Sequence, residues 1–374
     1  MERKNVLIFV HSPAIQFIAI SNNYTQLFDQ KKWTVTVVYF MGELEDSIIK
    51  KHIAEEVIFL NTPRKSARGL KWFAIRKMLA LHRERQFDMV ICHRYQTGYV
   101  MTCVSLFKKI PQLFIIKHAV GAMKRIGRRL FLALCCPRNT IFVGVSNAVR
   151  DDLRQSLWNI PHERIITLYN AMDTDVAEKK LLTREKSRRL LHLPDDAFVF
   201  GTIGRLDRDK NHANTIAAFS VIQSICPQSK LVIIGDGSIE AELKKQTIDL
   251  SCDKNVIFTG FLEDAFRAIK AFDVYVSSAL EEAFGFALIE AMLSKVPVIA
   301  TRVGGVPEVI GDTGILIDPQ QSDTLAKEML IQFNSTEEQR NQMGQKGCAR
   351  VKQYFSLESF KKTFWALDST RNNR

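Results

Sequence analysis

Two glutamates, Glu282 and Glu290, bracket the apolar run AFGFALI. Residue 290 is surrounded by residues that belong in a core, where a carboxylate is costly unless paired or hydrogen-bonded. Two hydroxyls of a ribose would satisfy it, and so would an internal lysine or arginine; the residue types leave both open. Between the glutamates, a predicted helix opens near Phe284–Gly285, just after the buried strand VYVSS. A helix start offers unpaired N–H groups and positive dipole potential, which suit a phosphate. Gly285 has no side chain to obstruct that approach. Further upstream, GTIGRLDRDKN puts Gly204 at a strand end, with Arg205 and Lys210 in the loop behind it. Two cations there can hold a diphosphate and neutralise its charge as it leaves. Taken alone, the same pair reads as solvated surface. A third glycine turn, in LVIIGDG, lacks the G-x-G-x-x-G spacing, and no G-x-x-x-x-G-K-[ST] loop occurs, so neither a dinucleotide fingerprint nor that type of ATPase is supported.

The elements that must carry these residues are short apolar runs alternating with longer amphipathic stretches, the pattern of parallel sheets wrapped by helices. NVLIFV, TVTVVYF, EVIFL, DMVICH, QLFIIKH and TIFVGVS are the strand candidates of the first half. FVFGTIG, KLVIIGDG, NVIFTG, VYVSS, PVIAT and ILID are those of the second. A chain of 374 residues is long enough for two domains. The polar stretch around residues 173–182 joins them, and FSLESFKKTFWALDS forms a last amphipathic helix capped by Ser356. Two such sheets are expected to turn the carboxyl ends of their strands to a shared cleft, where such folds bind ligands. Asp173-Thr-Asp175 and Asp207-Arg-Asp209 have the form of metal-binding acidic pairs. Both fall in polar junctions and loops, and no metal is assigned to either.

Seven cysteines without framework spacing point to reduced thiols and a cytoplasmic setting. The first apolar run stops after five residues at His11-Ser12-Pro13, which reads as a buried strand rather than a signal peptide. No window approaches a membrane span. The net charge of +12 is uneven: residues 1–180 hold 28 Lys+Arg against 15 Asp+Glu, and the remainder 24 against 25. The basic half suits an anionic membrane surface or a phosphorylated acceptor, or is merely solvated. No recognition module favours nucleic acid.

Together, the run from Glu282 to Glu290, GRLDRDK upstream and RVGGVPEVI downstream resemble the retaining glycosyltransferases of family 4, which have the GT-B fold. The two glutamates match that family's E-x7-E motif. The resemblance implies an α/β chain of two Rossmann-like, doubly wound domains facing a central cleft. Residues 1–175 would form the acceptor side and 183–352 the nucleotide-sugar domain, with 353–374 a helix crossing back to the first. It implies Glu290 as the ribose ligand, Glu282 near the donor sugar hydroxyls, and Arg205 with Lys210 as a diphosphate clamp. Gly204 and the backbone of Phe284, Gly285, Phe286 and Ala287 would lie along sugar and phosphate. His118, after QLFIIK, matches a histidine that faces the donor sugar. The chain departs from the family at HSPAIQ, where a glycine pair is usual, so no role is assigned to His11 or Ser12. Ala283 and Asn211 also replace frequent glycines.

The expected activity is retaining transfer from a nucleotide-diphosphate sugar, UDP favoured, with no cofactor or metal. The acceptor would be lipopolysaccharide core or another lipid-linked glycan. Rival readings are a non-catalytic nucleotide-binding protein and a GT-B epimerase. Two stretches mix basic and apolar residues: RKSARGLKWFAIRKMLALHRER, expected to be a packing helix with a basic flank, and AMKRIGRRLFLALCC, the better membrane candidate. The latter carries Lys124, Arg125, Arg128 and Arg129 with no acid between them. A peripheral position on the cytoplasmic face of the inner membrane follows from that reading.

Overall fold

The computed structural model describes residues 3–43, 45–121 and 123–372; Ala122, the first residue of the second basic stretch, lies outside them. The chain divides into two compact units, Met1–Ala171 with Phe360–Arg374, and Met172–Ser359.

In the first unit the strands are β1 (Lys4–Val10), β2 (Trp33–Tyr39), β3 (Glu56–Phe59), β4 (Met89–His93), β5 (Gln112–Lys117), β6 (Thr140–Gly144) and β7 (Ile165–Thr167). They form one parallel sheet in the order β3-β2-β1-β4-β5-β6-β7. Val6 to Val10 are all fully buried, because helices cover both faces of a parallel sheet and leave no polar side. Trp365 of the last helix donates its indole N–H to the Leu27 carbonyl at 3.0 Å. Phe364 of that helix is buried against Phe114 of β5.

In the second unit the strands are β8 (Val199–Ile203), β9 (Lys230–Ile234), β10 (Val256–Gly260), β11 (Val274–Ser277), β12 (Val298–Thr301) and β13 (Ile315–Ile317), ordered β10-β9-β8-β11-β12-β13. Phe200, Ile216, Phe219, Leu231, Ile233, Val274 and Ile299 join in its core. Strand order reverses between β8 and β11, so the crevice for a ligand opens at their carboxyl ends. The loop after β9 comes close there: Gly235 has φ +144°, and a Cβ on it would stand 2.0 Å from the Gly204 carbonyl oxygen. Only glycine allows β8 and β9 to deliver their loops side by side.

Among the described residues, twelve of the thirteen strands coincide with the apolar runs of the sequence. The exception, β7, is three residues long with Ile165 alone fully buried, too short for any period to register.

Candidate functional site

At the reversal point of the second sheet, a small hollow is lined by Thr202 and Ile203 of β8, Tyr275 and Ser277 of β11, and by Lys210, His212, Glu282, Gly285, Ala287 and Leu288 beyond the strand ends. The backbone builds it locally. Asp207 accepts the Lys210 N–H (3.2 Å) and caps a short turn, Arg208–Lys210. Asn211 then takes φ +51°, a left-handed conformation that asparagine tolerates nearly as glycine does. The substitution of glycine by asparagine in this loop is thereby accommodated.

Lys210 and Glu282, 72 residues apart in sequence, meet here: Lys210 Nζ lies 2.5 Å from Glu282 Oε2. Both side chains are largely withdrawn from solvent, at 26% and 19% exposure, so this charge-assisted bond is less screened than a surface pair. The Glu282 carbonyl accepts from Gly305 N–H at 2.9 Å, which fixes the loop.

Beyond Glu282, Gly285 takes φ +95° and heads the helix Phe286–Leu293 without a side-chain cap. An added Cβ would also stand 2.6 Å from Leu288 Cδ1. Among the described residues, the N–H groups of Gly285, Phe286 and Ala287 have no protein acceptor. They are the donors that a helix start leaves open. The Phe284 and Phe286 rings pack on each other at 5.5 Å, and Phe284 also on Phe355; those side chains serve packing.

Glu290 sits one turn into the helix. No lysine or arginine pairs with its carboxylate among the described residues, and no hydrogen bond to it is present, which removes the internal ion pair as an explanation for it. Burial pushes its pKa up to about 8, with the negative charge of Asp264 adding to the shift. Gly204 supplies complementary evidence. A Cβ there would make only ordinary contacts, 3.6 Å to Lys210 Cγ and 3.7 Å to His212 Nε2. Packing within the protein does not demand glycine at this position, whereas a ligand laid over the strand end would.

Arg205 does not join this group. It is 74% exposed and held by Asp207 at 2.8 Å, outside the residues that line the hollow. His118 belongs to the first unit, where its Nε2 lies 3.0 Å from His93 Nδ1. Burial, followed by the charges of Arg94 and Lys117, pushes its pKa down to about 3, so the ring is neutral at neutral pH. The acidic pairs have local tasks: Asp173 caps the helix Thr174–Lys180 through Val176 N–H, and Asp207 caps and pairs as described.

Two residues of the hollow escape a reading of the sequence. His212 is buried with Nε2 3.2 Å from the Arg205 carbonyl, and burial pushes its pKa down to about 4. The neutral ring therefore donates Nε2–H and fixes the loop that follows β8. Its spacing from Ile216 and Phe219, both buried, is the signal that places it on the inner helix face. Tyr275 donates its hydroxyl to the Ile203 carbonyl (3.2 Å), with burial raising its pKa well above the ordinary value. Nothing in VYVSS distinguishes it from a core tyrosine.

Two family models match the chain: Glycosyltransferase Family 4 over residues 23–176 and Glycosyl transferases group 1 over residues 183–350. The N-acetyl-alpha-D-glucosaminyl L-malate synthase of Bacillus anthracis is 30% identical over 53% of this chain and 51% of its own length, so the chain spans about half of that relative. The UDP-Gal:alpha-D-GlcNAc-diphosphoundecaprenol alpha-1,3-galactosyltransferase of Escherichia coli is 25% identical over 60% of each chain. HepE of Anabaena, solved in complex with UDP, matches with a TM-score of 0.79 at 20% identity, covering 98% of this chain and 100% of that one. This last likeness shows the fold, GT-B.

Proposed function

The chain belongs to the glycosyltransferases whose two halves those models describe, and on that premise we propose that it transfers a sugar from a nucleotide-diphosphate donor, UDP-sugar favoured, with retention at the anomeric carbon. The observation that carries the reading is Glu290, a carboxylate without a protein partner beside an open helix start. Ribose hydroxyls donate to Glu290, and the N–H groups of Gly285, Phe286 and Ala287 receive the diphosphate and the adjoining sugar. Lys210 leaves Glu282 for the diphosphate and frees that carboxylate for sugar hydroxyls. The anomeric C–O bond breaks toward the diphosphate, whose new charge Lys210 and the helix start stabilise. The acceptor oxygen forms its bond on the same face, and its proton passes to a phosphate oxygen of the leaving group. Arg205 reaches the diphosphate by releasing Asp207, and His118 contributes a neutral imidazole. With these cations present, no divalent ion is needed for the step.

Screening nucleotide sugars for slow hydrolysis without acceptor tests the reading. Release of free sugar and nucleoside diphosphate in equal amounts, abolished by Glu290→Ala, is the expected result. Binding of nucleotide without release of sugar under any condition would establish a binding protein instead, and a changed sugar stereocentre an epimerase.

For the acceptor, the reading is lipopolysaccharide core or another lipid-linked glycan, reached at the cytoplasmic face of a membrane, and it is supported by the diphosphoundecaprenol-linked acceptor that the Escherichia coli relative's name gives. No helix of the described residues is long and apolar enough to cross one. The helix Ile126–Cys135 instead turns Ile126, Leu130 and Leu134 outward, at 72%, 49% and 82% exposure, and buries Leu132. Phe131 packs on Tyr99 at 4.4 Å. An apolar row at i, i+4, i+8 preceded by exposed Lys124 and Arg125 is the geometry of a helix lying in a lipid interface. The earlier stretch packs differently: its helix Trp72–Arg85 buries Ala74, Ile75, Met78 and His82. Binding to acidic vesicles is expected to fade as salt rises, each basic residue contributing about 1 kcal/mol. Lys124→Gln with Arg125→Gln should weaken it, and Leu130→Ser with Leu134→Ser should weaken it at all salt concentrations. Indifference to lipid charge and to both pairs in a sedimentation assay would reduce the row to solvated surface.

A further inference from the structure

His93 is the last residue of β4 and is fully buried. His118 follows β5, the neighbouring strand, and is half-buried. Besides the 3.0 Å between His93 Nδ1 and His118 Nε2, the ring centroids stand 5.2 Å apart with their planes only 28° from parallel. Rings stacked face to face would lie closer; two imidazoles in line across one shared proton stand at this separation. Such a bond needs one N–H and one lone pair, so the two rings are never both charged. Burial, and then the charge of His118, pushes the pKa of His93 well below its ordinary value, so both rings are neutral and each carries one proton. Two arrangements remain, and they differ in what lies on the far side of His93. If His118 donated, His93 would hold its proton on Nε2. That nitrogen is buried without a hydrogen-bond partner among the described residues. Its ring stands nearly perpendicular to Tyr24 at 4.7 Å, and Tyr24 in turn to Phe360 at 5.0 Å. An N–H sealed among aromatic rings loses the bond it makes to water, and a ring face returns only part of it. Stranded buried N–H groups are rarer than stranded acceptors. If His93 donates instead, only a lone pair is stranded, and His118 keeps its proton on Nδ1.

We propose that His93 is a positioning residue for His118: its Nδ1–H donates to His118 Nε2 and fixes that ring as the Nδ1–H tautomer, whose free N–H donates to a hydroxyl oxygen of the donor sugar. Which nitrogen of a histidine carries the proton is set by the bond that the other nitrogen makes. The Phe17 ring, nearly perpendicular to His118 at 5.7 Å, limits the swing of the ring from a second side. With its one lone pair engaged by His93, His118 serves as a hydrogen-bond donor and not as a base, which leaves the acceptor's proton to a phosphate oxygen. Naming the sugar as the group that His118 meets rests on the transferase reading; the tautomer itself does not.

The first measurement needs no variant. Nuclear magnetic resonance of the full chain with ¹⁵N-labelled histidine reports which ring nitrogens are protonated, and Nδ1–H is expected for both His93 and His118. His118 protonated on Nε2 would reverse the direction of the bond and overturn the proposal. Two variants then separate positioning from packing. His93→Asn puts an amide N–H where Nδ1 stood and should keep His118 on Nδ1; His93→Leu fills the space without a donor and should release it to a mixture of tautomers. Acceptor-free hydrolysis of the nucleotide sugar should fall about tenfold in His93→Leu, the usual cost of one hydrogen bond, and largely return in His93→Asn. Affinity for the nucleoside diphosphate, which has no sugar for His118 to meet, should be unchanged in both. In a His118→Ala background, His93→Leu should cost nothing further, because residues that act through one another are not additive. An equal loss in that background, or equal losses for Asn and Leu, would mean that His93 acts through the fold alone. If the unsubstituted protein hydrolyses no nucleotide sugar, the transferase reading fails, while the ¹⁵N spectra still decide the tautomer.

Discussion

Lys210→Ala is expected to lower turnover at saturating donor by about 10²–10³-fold, the usual effect of removing one group that stabilises developing charge. The ammonium is already held at the hollow, 2.5 Å from Glu282, and needs only to exchange one anion for another as the diphosphate arrives. Its charge is worth most when the anomeric bond is broken, so the loss falls on turnover more than on donor affinity. A second effect must be separated from this one. Without Lys210, Glu282 is left partly buried and unpaired, and its charge repels the donor. Lys210→Ala with Glu282→Gln relieves that repulsion and leaves the leaving group without its cation. Glu282→Gln alone gives the cost of the lost sugar contact; turnover of the double variant well below that value places the loss on the lysine, and recovery to it places the loss on the unpaired Glu282. Arg205→Ala should cost less, because that side chain is exposed and must first leave Asp207. Near-normal turnover in Lys210→Ala would end the clamp assignment.

What could be read without coordinates was what local pattern carries. The apolar runs of β1, β4 and β5 are buried on both faces and stand out by composition alone. Glu290 stands out for the opposite reason, as a carboxylate where a core residue belongs. Its lack of a protein partner was not legible, because an ion pair to any distant cation would have left the same sequence. The pairing of Lys210 with Glu282 spans 72 residues, and the exposure of Arg205 depends on where one loop turns. His212 opens a helix, and only its spacing from Ile216 and Phe219 marks it as buried. In FLAL, the amphipathic character was visible but not its orientation; packing decides that Leu132 goes inward and Leu130 and Leu134 outward. Local rules report propensity and burial; charge compensation is a property of the assembled sheet ends.

Glu290→Gln should weaken nucleoside diphosphate binding about ten- to hundredfold at pH 9, the equivalent of roughly 1.5–3 kcal/mol for hydrogen bonds to a charged group. The size of the loss should depend on pH, and its sign can be worked out. Burial raises the Glu290 carboxyl from 4.5 to about 8, so between those values the folded chain holds a proton that the unfolded chain has released. The stability that this protonation contributes is complete below about 4.5 and is lost as pH rises through about 8; Glu290→Gln should flatten that slope in thermal unfolding. Ribose hydroxyls donate to the ionised carboxylate and lower its pKa in the complex. Donor binding near pH 7 therefore releases a proton, and affinity climbs as pH rises toward 8 before levelling. In Glu290→Gln neither occurs, so the gap between the two proteins narrows as pH falls. Calorimetry in two buffers of different ionisation enthalpy measures the released proton directly. Titration of the nucleotide phosphates contributes equally to both proteins, and only the difference between them counts. Equal affinity from pH 6 to 9, with equal proton release, would show that the ribose does not touch Glu290.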